Sequence, residues 1–288
     1  MRNLYESKEK NAKAYLLVCL LYGAFMLEGC SLKECADEED RERGCIQKEY
    51  RLSGKLGFEI PYKNNKAEGS AKFYYPSGEL ECIVPYKGDK REGVRKCYYK
   101  NGKIKSETPY KNGEQNGVEK WYFENGKIES ERPYKNDERE GIHKWYSENG
   151  NIKNEESYKR DKLDGVCSSY YDNGKLKQQI PYKNSNRDGI EKNYYESGNL
   201  WIETPYKNGY REGIEKWYYE NGKLFSQVLY KNNRKQDVAS FYDEEGNTIM
   251  EITFEDGIPT GVKCQNGKES ERGIDGFWMR LPPSFCEQ

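Results

Sequence analysis

Gly117-Val118-Glu119-Lys120-Trp121-Tyr122-Phe123-Glu124-Asn125-Gly126-Lys127-Ile128, running on to Tyr134-Lys135-Asn136, carries the pattern that decides the fold. Two runs rich in aromatic and β-branched residues flank an Asn-Gly pair, the strongest short-range hairpin signal. The same layout returns along the chain with Asn101-Gly102, Asn149-Gly150, Asn173-Gly174 and Asn221-Gly222, and in weaker form with Ser77-Gly78, Ser197-Gly198 and Glu245-Gly246. Tyr62, Tyr86, Tyr110, Tyr134, Tyr158, Tyr182, Tyr206 and Tyr230 step by 24 residues, and Phe254 takes the ninth place. A second tyrosine column, from Tyr50 and Tyr74 to Tyr242, keeps the same step. A fixed period of this size marks a repeat architecture.

Asn-Gly favours a two-residue type I′ turn, because both turn residues need positive φ. The second connection follows each Tyr-Lys pair, is longer, and ends in a glycine: Gly69, Gly93, Gly117, Gly141, Gly165, Gly189, Gly213 and Gly261. Asp237 breaks that column and predicts a distorted eighth connection. The expected fold is all-β: an elongated, twisted, single-layer antiparallel meander of about nine 24-residue hairpins. At ~4.8 Å between strands, nine units would span ~85–90 Å.

Centring the tight turn on Asn101-Gly102 places Tyr99 opposite Ile104, Tyr98 opposite Lys105, and Lys96 opposite Glu107. Alternation then puts Val94, Lys96, Tyr98, Glu107 and Pro109 on one face. Tyr99, Ile104, Tyr110 and the column Phe73, Cys97, Trp121, Trp145, Trp217, Phe241 fall on the other, more apolar face. Lys96/Glu107, Lys120/Glu131, Lys144/Glu155 and Lys192/Glu203 become cross-strand charge pairs, each worth ~0.2–1 kcal/mol, enough to tune register.

Only 34% of residues are hydrophobic, and mean hydropathy is −1.15. Twenty-six tyrosines in strict register argue against disorder and for an extended array with a thin core. The 48 basic and 49 acidic residues are finely mixed, so no basic stripe exists to track nucleic acid.

The ends leave the repeat. Arg2, Lys8, Lys10 and Lys13 precede an apolar run over 14–27, the layout of a secretory signal and too short to span a bilayer comfortably. Leu27-Glu28-Gly29-Cys30 resembles a bacterial lipobox, which implies lipidation of Cys30; Glu28 departs from the usual small or apolar residue. The partition expected is a lipoprotein-like signal peptide over 1–29, a charged solvated tether over 30–45, the repeat array over 46–262, and a C-terminal cap over 263–288. The expected location is the cell envelope, membrane-anchored through the lipid or secreted.

Catalytic and metal chemistry finds little support. His143 is the lone histidine, in a column shared with Arg95, Glu119, Cys167, Glu191, Glu215 and Ala239, which reads as a solvated face. Carboxylates are spread by the repeat instead of gathered in one asymmetric pocket. The Asp-containing loops read as turn chemistry and lack spaced calcium ligands. No C-x-x-C occurs, so no zinc site, cofactor or small-molecule substrate is expected. Centring the looser turn between Asp89 and Lys90 sets Cys82 opposite Cys97, where a disulfide and two packed thiols both remain open. Cys264 could bridge Cys286, and Cys35 could reach Cys45, leaving Cys167 over. Trp201 and Phe225 stand where other units carry Lys105, Glu129, Lys153 or Lys177, and predict an apolar spot for a protein partner on the polar face.

The unit G-V-x-K-x-Y-Y-x-N-G-K-[IL]…Y-K-N-G resembles the bacterial variant of the MORN repeat, best at 93–116, 117–140 and 213–236, and overall across roughly 50–262. Bacterial proteins of this type include the YwqK-family antitoxins and envelope proteins; eukaryotic MORN units are linked to membrane association and scaffolding. The resemblance implies binding and supplies no catalytic residue. The function expected is a non-enzymatic protein-binding array, most specifically a toxin-neutralising or immunity protein. A structural envelope or surface scaffold without a dedicated partner is the alternative.

Overall fold

The computed structural model describes residues 32–267, 269–271 and 286. The signal segment, Cys30 and most of the C-terminal cap lie outside the described residues. From Cys45–Tyr50 onward the chain forms one antiparallel sheet in which each strand pairs with its sequence neighbours. Each unit combines an eight-residue strand such as Leu80–Lys87, a two-residue strand such as Lys90–Arg91, and a six-residue strand such as Gly93–Tyr98. The ladder continues through Ile258–Cys264 to Glu269–Glu271, so the array passes the boundary expected at 262.

The two connections exchange the roles the sequence suggested. Asn101-Gly102 belongs to a three-residue loop: the Gly102 N–H donates to the Tyr99 carbonyl and the Tyr99 N–H to the Lys103 carbonyl, both at 2.9 Å. Positive φ falls on Gly102 alone, at +80°, as in a turn closed by a glycine bulge. The bulge makes Lys105 the extra residue, so Tyr98 pairs with Ile104 while Lys96 still faces Glu107. The two-residue turns with both residues at positive φ follow the Tyr-Lys pairs instead, as at Gly88 (+57°) and Asp89 (+66°) between Lys87 and Lys90. Asn-Gly needs only its glycine to be left-handed here, whereas Asn, Asp and Gly share the strained turn at the other end.

A proline and a glycine interlock in most units. Proline lacks the N–H a continuous ladder needs, and the strands part where it sits, with the Glu92 N–H reaching the Pro85 carbonyl at 3.0 Å. Gly117, at φ +123°, passes so close to Pro109 that a Cβ would stand 2.8 Å from its Cγ. Leu229 replaces the proline and Asp237 the glycine in the eighth connection. There Arg234–Tyr242 runs nine residues without a break, so losing the pair makes this connection more continuous.

Residues 32–45 fold against the first strand and are not an extended tether. A short helix, Glu38–Arg43, is capped by Asp37. The Asp40 carboxylate is buried and gathers the Lys33 ammonium at 3.1 Å, the Arg43 guanidinium at 3.2 Å and the Ala36 N–H at 3.0 Å. Cys35 is disulfide-bonded to Cys45, and Glu34 bridges Ile46, which covers the sheet edge. At the opposite end Val228, Tyr230, Ala239, Met250, Ile252, Phe254, Val262 and Cys264 make the largest apolar core.

Candidate partner-binding face

Outer-face residues lock the register. Lys96–Glu107 (3.2 Å), Lys120–Glu131 (3.7 Å), Lys144–Glu155 (3.1 Å) and Lys192–Glu203 (3.6 Å) pair across strands. Tyrosines of the following unit cap the same carboxylates: the Tyr122 hydroxyl donates to Glu107 at 2.9 Å, and Tyr146 does so to Glu131 at 2.9 Å. The Tyr122 hydroxyl, with Lys96, holds the Glu107 carboxyl below its ordinary range despite partial burial. The Tyr75 hydroxyl reaches the Tyr98 carbonyl at 2.7 Å, and Tyr171 and Tyr195 repeat that clasp. Most repeated tyrosines therefore stitch one unit to the next.

The inner face holds the surprise. Most of the column that includes His143 is buried, not solvated: Ala71, Glu119, His143, Glu191, Glu215 and Ala239 are all below a tenth exposed, with Arg95 and Cys167 half-buried. Rings from adjacent units cover it; Tyr158 lies 4.7 Å and Tyr134 5.6 Å from the His143 ring. Burial pushes the His143 imidazole below its ordinary pKa, and its Nε2 lies 3.2 Å from the Pro133 carbonyl. The glutamates are held by Thr108 to Glu119 (3.0 Å), Thr204 to Glu215 (3.0 Å) and Arg187 to Glu191 (3.0 Å).

A basic column lies over the tyrosines of this face. Arg91 sits 4.0 Å from the Tyr110 ring centroid, Arg139 4.1 Å from Tyr158, Arg187 5.2 Å from Tyr206 and Arg211 5.1 Å from Tyr230. Sequence reasoning passed over these arginines. Their constant offset of 19 residues from the tyrosine column was the available signal.

Trp201 and Phe225 lie on this aromatic face and not on the polar one. The glycine bulge rotates their position toward the neighbouring rings, because it adds one residue between the turn and the ladder. Trp201 meets Trp217 edge-on at 5.6 Å and Tyr195 at 5.8 Å. Phe225 meets Tyr219 at 5.1 Å and Phe241 at 5.9 Å. Trp201 remains 38% exposed. Beside them opens a groove of about 750 Å³, lined by Trp217, Phe225, Tyr230, Lys235, Phe241 and Phe254 among others. Phe225 is thus brought into the groove wall, while Trp201 extends the aromatic row beyond it.

Cys82 and Cys97 pair in register and are disulfide-bonded, with Cα atoms 4.1 Å apart. Cys264 is bonded to Cys286, and the Cys167 thiol is free and half-buried. Asp89, Asp137 and Asp161 accept N–H bonds from Ala67, Gln115 and Arg139 of the preceding unit (2.7, 2.7 and 3.0 Å), which occupies these loops with turn chemistry. No group of three metal-ligating side chains converges among the described residues, and none of the described helices is long and apolar enough to cross a membrane.

A known repeat family agrees with this geometry. The MORN repeat variant pattern matches seven times, at 67–87, 91–112, 115–136, 139–160, 163–184, 187–208 and 211–232, over half of the chain. No curated protein matches significantly. Among solved structures, that titled "Crystal Structure of TcdB2-TccC3-Cdc42" aligns over 78% of this chain and 15% of its own, at 11% identity and a TM-score of 0.15. "Crystal Structure of TcdB2-TccC3 without hypervariable C-terminal region" aligns over 81% and 17%, at 10% identity and a TM-score of 0.16. The chain therefore spans under a fifth of those proteins. The seven matched units, in register with the hairpins described above, establish that this chain belongs to the MORN repeat variant family.

Proposed function

We propose that this protein is a non-enzymatic binding module that engages a protein partner through the aromatic face of its last units, most specifically to neutralise a toxin. The observation that carries the reading is the break in the repeat at Trp201 and Phe225. Where other units place lysine or glutamate, these two add aromatic surface beside a groove. Aromatic anchors in a concave, partly desolvated setting are the usual energetic centre of a protein interface. The lipobox-like start suits an envelope immunity protein, with Cys30 carrying the lipid and the array facing its partner.

The test is co-purification of the mature chain from its host, followed by titration of the partner against the native chain and the double variant Trp201→Lys, Phe225→Lys. One stoichiometric protein, bound natively and lost in the variant, is the expected result; relief of its toxicity on co-expression supports the narrower role. Unchanged binding in the variant sinks the site.

A scaffold role is the second reading. Val94, Val118, Ile142, Val166, Ile190 and Ile214 form an outer-face row, one per unit, each 43–51% exposed. A row that repeats in every unit suits a surface meeting the whole array. Cell-wall or membrane association with no stoichiometric partner would favour it.

A further inference from the structure

The groove beside Phe225 contains a cation, Lys235, that forms no ion pair with the described residues. Lys235 belongs to the basic column that includes Arg139, Arg187 and Arg211. Each of those arginines has a carboxylate: Arg139 pairs with Asp161 at 3.0 Å, Arg187 with Glu191 at 3.0 Å and Arg211 with Glu215 at 3.7 Å; Arg91, at the head of the column, donates instead to the Gly113 carbonyl at 3.1 Å. The positions that would serve Lys235 in the same way, four and twenty-two residues on, are Ala239 and Gly257. Its ammonium lies 5.1 Å from the Phe254 ring centroid, and it makes no ion pair or hydrogen bond among the described residues.

The nearby charges do not answer it. Glu215 is already committed to Arg211, to the Thr204 hydroxyl at 3.0 Å and to the Trp217 indole N–H at 3.0 Å. Asp256 also lines the groove and forms no ion pair with Lys235. Burial holds the Lys235 ammonium below the ordinary lysine range. A partly desolvated cation gains more from an incoming carboxylate than a surface lysine does, because the cost of removing its water has already been met in folding.

We propose that this groove receives a segment of a partner protein in which a large apolar side chain sits next to an aspartate or glutamate. The apolar side chain would lie against Phe225, Phe241 and Phe254, and the carboxylate would meet Lys235. Asn233, Arg234 and Asp256 line the same groove; the Asn233 side-chain carbonyl already accepts from the Arg211 N–H at 2.7 Å, while its amide N–H groups and the Arg234 and Asp256 side chains offer donors and acceptors to a peptide backbone. That polar lining favours a peptide over a fatty acid, whose chain would leave those groups unanswered. The inference rests on the protein-binding reading above and specifies the chemistry of the partner at that site.

A random-peptide library displayed on phage and selected on the intact chain tests it. Selected peptides are then measured singly by fluorescence anisotropy against the native chain, Lys235→Met and Phe225→Lys. The Phe225→Lys fold should hold, since lysine occupies this position in other units; circular dichroism and thermal melts check both variants. The expected result is a consensus with an aromatic or large aliphatic residue within two positions of Asp or Glu. Binding should weaken about tenfold in each variant and fall with added salt. A consensus without an acidic residue, or affinity unchanged by Lys235→Met, overturns the proposal while leaving a protein-binding role intact. Failure to enrich any peptide, together with failure of the co-purification, overturns both. Dodecanoate binding that competes with the selected peptides and tracks Lys235 would overturn the peptide assignment in favour of an acyl ligand.

Discussion

Residues 93–212 and residues 213–264 share one strand plan but fill their inner face differently. In the first stretch the inner column runs through half-buried Arg95 and buried Glu119, His143 and Glu191, with Thr108, Arg132, Glu156 and Thr204 opposite, and half-buried Cys167 facing Ile180 is its one apolar step. In the second it passes from Glu215 to Ala239, with Val228 and Ile252 opposite. The first stretch keeps its proline–glycine interlocks except where Ser157 faces Gly165; the second loses them and gains longer strands. A repeat array stabilised mainly by neighbour contacts can thus hold a polar, hydrogen-bonded interior in its middle and a compact apolar one at its end. The groove opens across that change, where the aromatic rings remain and Ala239 follows Glu215 in the inner column.

The sharpest way to break the contrast is Met250→Ala. Met250 is fully buried in the apolar end, and its loss should cost about 2–5 kcal/mol. Denaturant unfolding followed by native-state hydrogen exchange should show the last units opening first. The interlock comes next. Gly117→Ala forces a side chain into left-handed backbone and against Pro109, at about 1–3 kcal/mol. Asp237→Gly, in a unit without the proline, should shift the same unfolding midpoint by less than about 1 kcal/mol.

A smaller effect comes from pH. The folded state lowers the His143 pKa through burial, so it favours the neutral ring. The His143 contribution is complete above the unfolded value of about 6.5 and is lost as pH falls through the lower folded value. Thermal melts of the native chain should therefore decline as pH is lowered from about 7.5 towards 5. His143→Ala, matching Ala71 and Ala239 in the same column, should flatten that part of the profile. The smallest effect is expected for Ser130→Ala, at the position equivalent to Met250. The Ser130 hydroxyl is buried without a hydrogen-bond partner, so its removal should be neutral within about 0.5 kcal/mol or slightly stabilising.

Much of this was legible because the repeat averages over its own exceptions. The Lys96/Glu107 register and the Cys82/Cys97 juxtaposition both follow from strand alternation and turn position. The turn types were not legible. Asn-Gly is compatible with two loop geometries, and only the Tyr99–Lys103 and Gly102–Tyr99 hydrogen bonds distinguish them. The bulge that results moved Trp201 and Phe225 to the other face, a one-residue shift of the kind that reverses every side chain. The charged character of the His143 column suggested solvent, yet tyrosines and arginines from adjacent units cover it, a contact no single unit contains.

The sequence by itself determined the period, the antiparallel hairpin array and the outer ladder of charge pairs, because these depend on residue type and spacing within one or two units. Only the tertiary structure decided which polar groups are buried, where the bulges turn the odd aromatics, and that Lys235 meets the Phe254 ring and forms no ion pair among the described residues. Those outcomes depend on how successive units stack, and the atoms that cover, rotate or fail to reach a side chain belong to its neighbours.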